Sequence, residues 1–156
     1  YRSLDVAGVE LCGALKNVLA IGAGICDGLG FGDNTKAAFV TRGIAEIMRL
    51  GEALGAQPKT FMGLAGIGDI MLTCSSRLSR NLRVGVAIGS GMTTEQAVAD
   101  VKQTAEGVHT CKAAYALATS LGIYAPITEQ LYEILFNGKS PMEAVKDLML
   151  REPKPE

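Results

Sequence analysis

Neither sign of charge is in excess in this chain: 15 Lys and Arg stand against 16 Asp and Glu, for a net charge of −1. Without a basic field, general binding to nucleic acid or to an anionic membrane surface has no source, and a ligand has to be recognised by a local group of residues. There is one His, and Cys12, Cys26, Cys74 and Cys111 form no Cys-x-x-Cys pair, so no metal is expected. Cysteines of this kind read as reduced thiols of a cytoplasmic protein. Gly, Lys, Asp or Glu interrupt each apolar run before the ~18 residues that a membrane span requires, which predicts a soluble chain with no span. The opening YRSLDVAGVE places acids where a signal peptide has its apolar stretch, and Tyr1 stands where Met is usual. Those features lead to the expectation of a processed or excised fragment.

Strand-type alternation is missing as well, and the spacing predicts an all-α fold. From Val6 to Ile25, apolar residues recur at helical intervals, with Leu11, Leu15, Val18 and Leu19 on one face and Cys12 and Ala14 filling in. The glycine-rich LAIGAGICDGLGFGDN, Leu19 to Asn34, therefore follows a helix. A pyrophosphate fingerprint needs a strand that enters a tight glycine turn opening a helix, so these glycines are expected to join two helices and not to hold a dinucleotide.

The second helix is predicted from the capping candidates Asp33, Asn34 and Thr35 to Gly55. Pro58 marks a first turn, and Thr93 with Gln96 forms a capping box. A helix from Glu106 to Leu121 is stopped by Gly122, and a shorter one around Leu131 ends at Asn137-Gly138. Ser140-Pro141-Met142-Glu143 opens a last helix that runs to about Leu150, before a frayed EPKPE tail. Glycine supplies 19 of the 156 residues, more than the usual ~7%, which points to close backbone contacts between helices or with a ligand.

Two constellations could carry chemistry. On a helix, Lys16 has Cys12, Gly13, Leu19 and Ala20 as its neighbours three and four residues away. Desolvation there favours the neutral amine, which can take up and return a proton; a lysine that snorkels its charge to water is the plainer alternative. The second is GLAGIGDIMLTCSSRLSRN, Gly63 to Asn81. Here Arg77, Arg80 and neighbouring Arg83 stand with Ser75, Ser76, Ser79 and Asn81, donors that suit a phosphate oxyanion, although arginines spaced by three also simply coat a helix. Asp69, in an apolar stretch, needs a partner, either an arginine or a ligand hydroxyl and a lysine. His109 has no carboxylate beside it in sequence and is given no role.

The segments DVAGVELCGALKNVLAIGAGICDGLGFGDNTKAAFVTRGIAEI, FMGLAGIGDIMLTCSSRLSRN, AEGVHT and YAPITEQLYEIL closely resemble the C-terminal domain of bacterial-type NAD(P)-dependent glycerol-3-phosphate dehydrogenases, over nearly the whole chain. The most specific pieces are G-x-E-L-x-G-A-L-K-N, from Gly8 to Asn17, and S-R-N, from Ser79 to Asn81. The resemblance implies an all-helical substrate domain over residues 1–150, of the 6-phosphogluconate dehydrogenase type, with residues 151–156 as a tail and an N-terminal Rossmann domain missing from the chain. It implies that Lys16 accepts the proton of the substrate C2 hydroxyl, and that Asp69, Ser79, Arg80 and Asn81 contact glycerol 3-phosphate or dihydroxyacetone phosphate. Arg80, Thr104 and Glu106 would lie near NAD or NADP, although Thr104 departs from the aliphatic residue expected there. A homodimer and a part in supplying glycerophospholipid precursors are further implications. The rivals are a similar dehydrogenase for another hydroxy acid or sugar acid, against which the S-R-N triplet argues, and a non-catalytic helical module.

Overall fold

Asp5 starts the first helix and also ties it to a segment more than 50 residues further along the chain. Its carboxylate accepts the N–H of Gly8 (3.0 Å), the N–H of Gln57 (2.8 Å) and the hydroxyl of Thr60 (2.6 Å). Those donors, Thr60 foremost, hold the carboxyl below its ordinary range. In this computed structural model, which describes residues 2–101 and 104–151, the helix α1 (Val6–Gly28) runs beyond the expected Ile25, and no strand occurs among the described residues.

The membrane expectation needs a correction at α1. By length and composition this helix is apolar enough to cross a membrane, with a mean hydropathy of 1.5 over an 18-residue window, because its Leu, Ile, Val and Ala outweigh the glycines and Lys16. That window is 61% buried inside the fold, so the helix traverses the protein core. Ile21, Ala20, Ala23 and Cys12 have no exposed surface.

The glycine-rich stretch also differs from expectation. Gly22, Gly24 and Gly28 lie within α1, and only Gly30 and Gly32 belong to the connection that follows. Gly24 and Gly28 meet Gly85 and Gly89 of α5 (Arg80–Gly89) so closely that the two backbones touch. A Cβ on Gly24 would stand 2.1 Å from the Leu82 carbonyl oxygen, and one on Gly85 would stand 2.0 Å from that of Ile21. Gly24 and Gly28 are thus used in a contact between helices, which covers them on the side that faces α5.

Helix α2 (Asp33–Ala53) starts after Gly32, with no side-chain cap. The expected caps Asp33, Asn34 and Thr35 fall inside its exposed first turn, where the charge of Asp33 complements the helix dipole. Then come α3 (Pro58–Phe61), a π-helical turn (Leu64–Gly68), α4 (Asp69–Ser75), α5, α6 (Thr94–Val101), α7 (Glu106–Leu121), α8 (Pro126–Asn137) and α9 (Pro141–Met149). The reciprocal hydrogen bonds of Thr93 with Gln96 and of Ser140 with Glu143 form as the sequence predicts. Gly122 and Gly138 end their helices in the left-handed region, at φ 63° and 70°. The EPKPE tail, residues 152–156, lies outside the described residues.

Helices α2, α4, α5 and α7 pack around α1. Fully enclosed Ile21, Leu50, Phe61, Ile70 and Val84 mark the centre of the core, and each such side chain contributes roughly 1.5–3 kcal/mol. Glu46, only 2% exposed, accepts the N–H groups of Ile127 (2.6 Å) and Thr128 (3.1 Å) and the Thr128 hydroxyl (3.1 Å), so α2 caps the start of α8. Burial raises its carboxyl above the ordinary glutamate value, against the pull of those bonds. All four cysteines are free and buried, and desolvation pushes their thiols up to about 11 for Cys12 and Cys26 and about 12 for Cys74 and Cys111. Thiols held this far from ionisation are poor nucleophiles.

Candidate active site

The stem of Lys16 leaves the middle of α1 among apolar neighbours, but its ammonium does not stay there. It donates to Oδ2 of Asp69 at 2.5 Å, with the lysine side chain 24% and the aspartate 36% exposed. Asp69 reaches this position because the π-helical turn feeds directly into α4. At Gly66 a Cβ would stand 2.0 Å from the Phe61 carbonyl oxygen, so glycine is what allows that turn to fold back on α3. A π turn is costly and tends to occur where a side chain has to be placed. Asp69 therefore meets the lysine, and no arginine pairs with it among the described residues.

The second carboxylate oxygen of Asp69 is not taken up in the same way. Thr73 Oγ1 lies 3.5 Å from Oδ1, but it donates its single proton to the Asp69 carbonyl at 2.6 Å. Oδ1 is left to accept from a ligand hydroxyl beside the lysine.

Ser79, Arg80 and Asn81 form the beginning of α5. Ser79 is its N-cap, with Oγ accepting the N–H of Leu82 at 3.3 Å, so its own hydroxyl proton is still available to a ligand. Arg80 is exposed and has no ion-pair partner among the described residues. The N–H groups of Arg80 and Asn81 lie in the first turn, where a helix leaves its donors unpaired and favours an anion. Arg77 lies before the helix and Arg83 further along it, both exposed.

Asn81 is only 7% exposed, and its side chain is already engaged. Nδ2 donates to Asn17 Oδ1 at 3.0 Å, and Oδ1 accepts the N–H of Gly107 at 3.0 Å. The beginnings of α5 and α7 thus meet beside the residue that follows Lys16. Glu106, next to Gly107, is exposed at that junction. Thr104 lines a groove of 650 Å³ with Glu95, Val98, His109 and Phe136. Asn17, Gly107, Thr73 and the π turn are the parts that sequence reasoning did not assign. Asn17 was within reach, since it closes the Gly8 to Asn17 block. No group of three or more His, Cys, Asp or Glu able to hold a metal occurs among the described residues.

The described residues include no strand-to-glycine turn of the kind that cradles a dinucleotide pyrophosphate; Gly24 and Gly28 are covered by α5 and Gly22 by Phe39 of α2. Fold and site together define an all-helical domain that presents a lysine–aspartate pair and an arginine-bearing helix start. The crystal structure of glycerol-3-phosphate dehydrogenase from Coxiella burnetii is similar with a TM-score of 0.94 and 43% identity, over 97% of this chain and 46% of that one. The Plasmodium falciparum glycerol-3-phosphate dehydrogenase matches with a TM-score of 0.84 and 26% identity, over 96% of this chain and 44% of that one.

Residues 5–146 match the family described as NAD-dependent glycerol-3-phosphate dehydrogenase C-terminus, and the chain belongs to that family. Glycerol-3-phosphate dehydrogenase [NAD(P)+] of Thermoanaerobacter sp. is 58% identical over all 156 residues, and that of Citrifermentans bemidjiense is 57% identical. The chain spans about half the length of these relatives, 47% in each case.

Proposed function

We propose that this chain is the substrate-binding domain of an NAD(P)-dependent oxidoreductase that interconverts sn-glycerol 3-phosphate and dihydroxyacetone phosphate, working with a separate dinucleotide-binding domain. The observation that carries the reading is the 2.5 Å Lys16–Asp69 pair, linked through Asn17 and Asn81 to the helix start that carries Arg80. NAD or NADP, bound mainly by the other domain, supplies hydride exchange at the substrate C2. In the reducing direction the Lys16 ammonium gives its proton to the C2 oxygen, and in the oxidising direction the amine takes the hydroxyl proton back. Asp69 keeps Nζ in place through Oδ2 and offers Oδ1 to a substrate hydroxyl.

The anionic end of the substrate is held by the Arg80 guanidinium, the Ser79 hydroxyl and the first N–H groups of α5. Thr104 and Glu106 border the dinucleotide. The cellular setting in this reading is the cytoplasm, where the four buried cysteines stay reduced, and the product serves phospholipid precursor synthesis. The active form is a homodimer, for which exposed Leu64, Leu72 and Leu78 offer apolar surface; the mass in solution checks that part.

Exchanging this chain for the matching segment of the Thermoanaerobacter relative gives a two-domain enzyme in which the reading can be tested. It should reduce dihydroxyacetone phosphate with NADH or NADPH. In the same enzyme, Arg80→Ala should lower kcat/KM about 10- to 100-fold for dihydroxyacetone phosphate and far less for unphosphorylated dihydroxyacetone, since a charge-assisted contact of roughly 1.5–3 kcal/mol is lost. Equal losses on both substrates would move Arg80 from the phosphate to the reacting centre.

A further inference from the structure

Asn17 follows the lysine in sequence and forms a joint between three helices. Its own orientation is set within α1, because Nδ2 points to the Gly13 carbonyl at 3.4 Å and turns Oδ1 toward α5. There Oδ1 accepts one Asn81 Nδ2 proton at 3.0 Å, and Asn81 Oδ1 accepts the N–H of Gly107 at 3.0 Å. Gly107 is the second residue of α7, and a Cβ on it would stand 2.6 Å from the Asn17 carbonyl oxygen and 2.7 Å from Asn81 Oδ1. The Gly107 N–H has no partner within its own helix at that position, so the Asn81 side chain is what satisfies it. Three side-chain and backbone groups are thus closed into one contact with no spare volume.

We infer that Asn17 is a positioning residue for the reaction, holding the Asn81 amide and, through it, the first turn of α7. Lys16 and Asn17 share one turn of α1, so the joint fixes the distance from the proton-transferring nitrogen to the α5 start that grips the anion. It also fixes the α7 start, with Glu106, against the same turn. A substrate anchored by its phosphate then presents C2 to Lys16 without a further search. The Asn81 side chain keeps one Nδ2 proton for the anion, aimed by Asn17. This inference rests on the function proposed above.

Two measurements separate the inference from that function. In the 156-residue chain, hydrogen exchange of the Gly107 amide reports the joint alone. Asn17→Ala should speed it about tenfold, the factor that one net hydrogen bond carries, while amides in the middle of α1 keep their wild-type rates. Asn17→Asp retains an acceptor for Asn81 and should keep Gly107 protected.

In the domain-exchanged enzyme, Asn17→Ala should lower kcat/KM for dihydroxyacetone phosphate about 10- to 100-fold, as a small misplacement of the reacting groups does, with a smaller loss for dihydroxyacetone. Asn17→Asp should recover kcat but keep a raised KM, because it adds a negative charge beside the anion. Wild-type Gly107 exchange in Asn17→Ala, or a faster exchange with unchanged kcat and KM, overturns the inference. An inactive wild-type exchange enzyme with Gly107 behaving as expected would instead remove the function and, with it, the positioning role, while leaving the joint as a structural fact.

Discussion

Two lysine–aspartate pairs lie along α1, and by exposure alone they can hardly be told apart. In the Lys16–Asp69 pair the side chains are 24% and 36% exposed, and in the Lys36–Asp27 pair 18% and 34%. Their surroundings are what differ. Lys36 is nine residues from Asp27 and closes the turn between α1 and α2, with both carboxylate oxygens accepting from Nζ at 2.8 and 3.0 Å. Asp69 is 53 residues from Lys16 and gives it one oxygen, while the other has only the 3.5 Å approach of Thr73. A pair that satisfies itself locally closes a turn, whereas a pair assembled from distant elements with an acceptor to spare is equipped for a ligand. Location in the fold, and not burial or charge, is the discriminating quantity.

The largest effect should separate the two lysines. In the domain-exchanged enzyme, Lys16→Met should lower kcat about 10² to 10⁴-fold, the range that a positioned acid–base group contributes, while the domain stays folded. Lys36→Met in the same background should leave kcat and KM as they are. Steady-state assays with dihydroxyacetone phosphate check both, and near-normal turnover of the Lys16 variant would return that residue to a stem that carries its charge to water.

The second effect concerns what holds the two ends of α1. Past Ile21 the helix is fastened by backbone contact with α5, and at Lys16 by side chains. Gly85→Ala forces a Cβ to 2.0 Å from the Ile21 carbonyl oxygen, so the helices have to part, at a cost of about 1–3 kcal/mol in unfolding free energy. Gly13→Ala, on the other side of Lys16, meets nothing within 4 Å and should stabilise α1 by up to ~1 kcal/mol through helix propensity. Urea titration of the two variants, moving in opposite directions, would sharpen the contrast; a neutral Gly85→Ala would break it.

The all-helical class, the capping boxes at Thr93 and Ser140 and the glycine stops at 122 and 138 were legible because each depends on residues within a few positions of one another. The rest depends on contacts between remote segments. Local pattern cannot say that Gly24 and Gly28 face Gly85 and Gly89, so glycines inside a helix read as a connection. The unbroken apolar runs alone do not reveal the membrane-like mean hydropathy of α1, a helix that α2, α4, α5 and α7 bury. In the site, Lys16 and Asp69 stood out as charges in apolar settings, yet their 2.5 Å pairing required the π turn, for which the sequence carries no simple periodic signal. Asn81 stood out as a donor for an anion, but only three-dimensional closure on Gly107 makes it a joint with Asn17.

The smallest effect is the strictest check on the comparison, because it predicts almost nothing. Asp27 is the penultimate residue of α1, where the helix dipole disfavours a negative charge. Its attraction to Lys36 is that of an exposed pair, worth about 0–1 kcal/mol and screened further by salt. Asp27→Asn removes both contributions, and because they oppose each other the change in unfolding free energy should stay within roughly 0.5 kcal/mol. A chain of this size translates such a change into a Tm shift of no more than about 2 °C. Asp69→Asn, by contrast, leaves Lys16 without its counter-charge and should lower kcat steeply, whatever it does to Tm. Thermal melts at low and high salt together with kcat for both variants decide the matter. A loss of activity in Asp27→Asn comparable with that in Asp69→Asn would mean that location along α1 does not separate the two pairs.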